Sequence, residues 1–86
     1  MDVIEIFEIR AQEDGEFIGC CEVLRGHSLA ELWDADGTFH TYLTVQNLYG
    51  EELYRTIVSV FCTHTECEHS DIYLTDNDNT RILWAE

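Results

Sequence analysis

Hydrophobic positions along the chain come in short blocks separated by polar, turn-forming stretches. Val3 to Ile9 and Phe17 to Leu24 are rich in β-branched and aromatic residues, which favour strands. Gln12-Glu13-Asp14-Gly15-Glu16 lies between them, so the pair reads as an N-terminal hairpin. Gly26-His27-Ser28 then breaks the pattern. Ser28 with Glu31 three positions later makes a capping-box pair, predicting a short helix over Leu29 to Ala35 that Asp36-Gly37 ends. Thr38 to Val45 alternates and is dense in Thr, Tyr and Phe, predicting a third strand. Glu51 to Thr63 carries two signals: Leu53, Tyr54, Ile57, Val58 and Phe61 recur at helical spacing, while Thr56-Ile57-Val58-Ser59-Val60 includes β-branched residues suited to a strand. The acidic pair Glu51-Glu52 complements the positive end of a helix dipole and decides for helix. Asp71 to Thr75 and Thr80 to Trp84 flank the turn-tolerant Asp76-Asn77-Asp78-Asn79, predicting a C-terminal hairpin. The expected architecture is α+β in ββαβαββ order. One short and one longer helix lie on one face of a small antiparallel or mixed sheet, and acids sit on the other sheet face or on the helices.

At 86 residues the chain is expected to be one acidic domain, 1–86, with no repeat, proline or linker-like run. A domain this size buries roughly 60% of the surface its unfolded chain exposes, so an added staple is common. Charge changes the picture most: 18 acidic residues face four arginines and no lysine, a formal charge of −14. Such a surface repels nucleic acid and anionic lipid and is attracted to Lys/Arg-rich protein surfaces, including grooves that hold phosphates. Solubility or adaptation to high salt is the bland explanation of the same acidity. Disorder is excluded by a composition that is 45% hydrophobic with aromatics throughout. No apolar run approaches the roughly 18 residues of a membrane span. Met1-Asp2-Val3-Ile4-Glu5 lacks the basic region of a signal peptide, so a cytoplasmic location is expected.

The densest chemistry lies in Cys62, His64, Cys67 and His69, a C-x-H-x-x-C-x-H arrangement. Zinc takes thiolate and imidazole ligands tetrahedrally, so these four residues are the expected structural Zn²⁺ site, stapling the long helix to the strand after it. Cys20, Cys21, His27 and His40 are substitutes for one or two of the ligands. Against this stand Cys62 as a core thiol, and a disulfide from Cys20 or Cys21 to Cys62 or Cys67, which the missing secretion signal disfavours. Adjacent Cys20 and Cys21 on a strand point to opposite faces, so at least one is a small core residue. A zinc hydrolase with Glu66 or Glu68 as general base is the strongest enzymatic alternative. No Gly-rich phosphate loop is present, and the Asp76–Asn79 run lacks the Gly and the distant Glu of an EF-hand.

The expected partner-binding set is Glu51, Glu52, Asp76 and Asp78 for steering, with Trp84 as an aromatic anchor. In size, acidity and α+β order, with the Cys62-to-His69 cluster, the chain resembles small phage-encoded inhibitors of bacterial defence, and in particular zinc-containing anti-CRISPR proteins. That resemblance implies a non-catalytic inhibitor that binds a basic surface of Cas9 or another Cas effector and blocks guide or target loading. A zinc-stabilised interaction module or subunit of a cellular complex is the alternative.

Overall fold

Residues 2–83 are described by the computed structural model. Four strands, β1 (Val3–Ala11), β2 (Phe17–Leu24), β3 (Leu29–Asp34) and β4 (Phe39–Thr44), form an antiparallel meander. Helix α1 (Gly50–Thr65) then crosses the sheet, and after a 3-10 turn at His69–Asp71 the short strand β5 (Ile72–Thr75) joins the far edge. The five-stranded sheet has the order β4-β3-β2-β1-β5. Every pairing is antiparallel, so the α+β class holds, whereas the element order is ββββαβ rather than ββαβαββ.

The difference lies in Leu29 to Ala35, expected as a helix and found as β3. Ala30 and Leu32 are buried while Leu29, Glu31 and Trp33 turn to the other face, a period of two imposed by pairing with β2 and β4 on both sides. Ser28 caps no helix; its carbonyl accepts from the Val45 amide across the meander. The expected C-terminal hairpin keeps its first strand, but among the described residues its second half is one bridge, Thr75 to Arg81. Trp84 lies outside the described residues.

One face of the sheet forms the core. Phe7, Ile9, Cys21, Val23, Ala30, Leu32, Leu43 and Leu74 alternate along the strands and meet Leu53, Ile57, Val58, Phe61 and Cys62 of α1. Those helix positions recur at intervals of one, three and four, the stripe that a half-buried helix needs. The helix has no side-chain N-cap, and Glu51 and Glu52 in its first turn complement the positive end of its dipole instead. It ends at Glu66 in the left-handed region (φ 60). The hydroxyls of Thr56, Thr63 and Thr65 donate to carbonyls four residues back, so the threonines of this helix carry their own hydrogen bonds. Gly19 sets how closely the helix sits: a Cβ there would lie 2.6 Å from Phe61 Cε1 and 2.7 Å from the Trp33 carbonyl oxygen.

Candidate functional site: an anionic end beside an uncovered sheet face

Strands β1 and β3 run in the same direction, so the β1–β2 and β3–β4 turns lie at the same end of the sheet. Helix α1 returns to that end too, where the Gln12 amide donates to the Asp71 carbonyl at 2.8 Å. The topology therefore gathers Glu13, Asp14 and Glu16, then Asp34 and Asp36, then Glu66, Glu68 and Asp71. Several of these aspartates also build the turns. Asp14 Oδ1 accepts from the Glu16 amide, Asp36 Oδ1 from Thr38, and Asp71 Oδ2 from Glu68. Hydrogen bonds from Thr38 hold the Asp36 carboxyl below its ordinary value, so the tip of the β3–β4 turn carries a firmly ionised group. Among the glutamates, Glu68 shares this duty, its side chain accepting from the Asp71 amide in a reciprocal capping box.

Cations do not offset this evenly. Arg25 pairs with Asp2 at 2.9 Å and Arg55 with Glu51 at 3.8 Å, both toward the opposite end. Arg10 bonds Glu8 and the Gly15 carbonyl, and Arg81 bonds Gln12 while lying 4.3 Å over the Tyr73 ring. Both of the latter stand on the β5 side. The flank made by the β3–β4 turn and the helix terminus thus has no guanidinium among the described residues.

Among the described residues, no helix lies over the second face of the sheet. Its cross-strand rows run Ile6–Glu22–Glu31–Tyr42 and Glu8–Cys20–Trp33–Phe39. The register between β3 and β4 steps from Leu32↔Thr41 to Trp33↔Phe39, leaving His40 as a bulge residue on the helix side. That step brings Trp33, Phe39 and Tyr42 into a run of ring contacts, with centroids 5.3 and 4.8 Å apart. Ile6 and Phe39 are each 39% exposed and Tyr42 56%. The face is negative as well as apolar: the Cys20 thiol is pushed up to about 11, first by burial and then by the charges of Glu22 and Glu8.

The expected metal ligands part company. Cys62 and Cys67 come together, Sγ to Sγ 3.1 Å, with the Thr65 hydroxyl donating to Cys67. Burial, the contact with Cys67 and the nearby acids Asp71 and Glu68 push the Cys62 thiol up to about 12. His64 lies instead beside His40, ring centroids 6.0 Å apart, and His40 Nε2 is 3.3 Å from Asp34 Oδ2. His69 is exposed in the 3-10 turn and lines a shallow hollow with Arg81 and Tyr73. Among the described residues no three His, Cys, Asp or Glu side chains are placed to share a metal ion. Cys62 and Cys67 thus form a close thiol pair, with His64 and His69 set apart from it. Cys21 is fully buried against the helix, Cys20 faces the other way, and His27 stacks on Tyr49 while bonding the Leu48 carbonyl.

Of the expected partner-binding acids, Glu51 and Glu52 sit in the first helical turn, at the end opposite the carboxylate cluster. Asp76 spends Oδ1 on the amides of Asp78 and Thr80, and Asp78 rides on that turn. The aromatic run and the carboxylate end escaped the sequence reading because both depend on which strands are neighbours. A hollow of about 550 Å³ lies beside β1 and the 76–79 turn, yet Asn77 already bonds the Ile6 amide there and Arg10 already pairs with Glu8. No described helix is long and apolar enough to cross a membrane. Compared with known protein families, curated proteins and solved structures, the chain matches none.

Proposed function

We propose that the protein is a non-catalytic binding protein that occupies a cationic, nucleic-acid-handling surface of another protein, as an anti-CRISPR inhibitor does on a Cas effector. The observation that carries this reading is the meeting of the carboxylate end with the uncovered aromatic face at the β3–β4 corner. Carboxylates steer a cationic surface toward that corner, and rings supply the desolvated contact that a charge alone does not. Effectors of this kind hold their guide–target duplex in a positively charged channel, the surface an acidic domain competes for. The reading needs no metal.

The test is competition. Purified Cas9 with its guide RNA is titrated with the protein before target duplex is added, and duplex binding and cleavage are followed at low and high salt. Stoichiometric loss of duplex binding, relieved as salt rises, is the expected result. If duplex binding is untouched in Cas9 and in other RNA-guided effectors, the inhibitor reading fails.

A further inference from the structure

We infer that the uncovered sheet face carries a receptor for a single arginine side chain of the partner, in the hollow between Phe17 and Trp33. This deepens the proposed function and rests on its premise that the partner surface is cationic.

The hollow exists because of a register step. Between β1 and β2 the pairs run Ile9↔Gly19 and then Arg10↔Phe17, so Ile18 is extra and Phe17 is swung onto the uncovered face near Cys20. Strand β3 ends at Asp34, one pair beyond Trp33, so among the described residues no strand lies beside Phe17 on that side. What remains is an open depression of about 400 Å³ along β2, where Phe17, Cys20 and Glu22 lie, bounded by Trp33 and the β3–β4 turn. Gly37 in that turn has φ +89, and a Cβ built on it would meet nothing within 4 Å, so the rim on this side is low.

Its chemistry selects a guanidinium. Phe17 and Trp33 line it with aromatic rings, the chemistry a planar cation favours, and Glu22 supplies a carboxylate that no guanidinium pairs with among the described residues. The negative potential is already felt at Cys20, whose thiol neighbours Glu22 and Glu8. Phe17 shows the same preference within the chain: the Arg10 guanidinium carbon lies 5.7 Å from its ring centroid. An ammonium group stacks poorly on rings and presents no fork to a carboxylate, so lysine is the weaker occupant. A second copy of this chain is disfavoured, since each copy carries −14 and only four arginines, three of them in ion pairs with its own acids.

The experiment uses the full-length protein, ¹⁵N-labelled, titrated with two blocked tripeptides, acetyl-Gly-Arg-Gly-amide and acetyl-Gly-Lys-Gly-amide. Expected are shifts confined to the backbone amides of Phe17, Cys20 and Trp33 and to the Trp33 indole N–H, with the lysine peptide weaker by about fivefold. Glu22→Gln should weaken the arginine peptide by about fivefold, whereas Glu52→Gln, the same charge loss at the far end, should leave it unchanged. Retained native spectra in both variants exclude unfolding as the cause. Equal binding of the two peptides, or shifts spread over the carboxylate end, overturns the arginine receptor and leaves the cationic partner standing. Binding of neither peptide, together with no binding of octa-arginine at low salt, overturns both.

Discussion

The two faces of one sheet divide the labour of this molecule. On the helix side, Phe7, Ile9, Cys21, Val23 and Leu32 are at most 1% exposed and packed against α1. On the other side, Glu22, Glu31 and Trp33 alternate with those core residues along β2 and β3, Tyr42 lies beside them on β4, and no described element covers them. A single helix can cover only one face of a five-stranded sheet, so the second is either solvated or reserved for something else. An ordinary solvated face alternates polar outward positions, whereas this one exposes Ile6, Phe39 and Tyr42 among glutamates. The difference teaches where folding energy and binding capacity reside: neighbouring residues of β3 serve opposite ends.

Substitutions on β3 and its partners break the comparison most sharply. Leu32→Ala should destabilise the fold by about 2–5 kcal/mol in chemical denaturation, while Tyr42→Ala, one strand away on the other face, should cost under about 1 kcal/mol. Similar costs for the two would mean that the uncovered face is part of the core. Gly19→Ala comes next. Its Cβ meets the Phe61 ring and the Trp33 carbonyl, and only the ring can give way, so a loss of about 1–3 kcal/mol is expected in the same assay.

A pH series sharpens the same contrast with a smaller effect. The Cys21 thiol, buried under the helix, is pushed from 9.0 up to about 12, first by burial and then by Cys20, Glu22 and Glu5. Above pH 9 the unfolded chain releases this proton and the native state keeps it. Stability is therefore full below pH 9 and falls as pH rises toward 12. Urea unfolding across that window should show the decline, and Cys21→Ala should flatten part of it; an unchanged slope would contradict the assignment. Glu66→Gly is the smallest change. Glycine suits the left-handed C-cap, so melting temperature should rise slightly, by the equivalent of about 1 kcal/mol or less.

Residue pattern located β1, β2 and β4, whereas α1 also needed the acidic pair Glu51-Glu52, because its apolar spacing and its β-branched run point to different elements. Leu29 to Ala35, expected as a helix from the Ser28 and Glu31 pair, instead forms strand β3 over Leu29–Asp34. Leu, Ala and Glu are good helix formers, and Leu29, Leu32 and Trp33 also fit a helical stripe, so only the flanking strands decide for β3. The Cys62-to-His69 cluster was compact in sequence for a reason that disperses it in space. Cys62 and His64 are two positions apart on a helix, about 200° around its axis, which sends one toward the sheet and the other toward His40. The carboxylate end and the Phe17–Trp33 hollow depended on strand order and on two register steps, neither of which a linear sequence displays.

The central claim is that the position of the carboxylates, beyond their number, determines what the protein binds. Two double variants of equal net charge test it: Glu13→Lys with Glu68→Lys at the carboxylate end, and Glu52→Lys with Asp78→Lys away from it. Their affinities for octa-arginine, measured at low salt by fluorescence anisotropy, should differ by about tenfold, the first pair being the weaker. Equal affinities would show that net charge alone governs binding and would contradict the account.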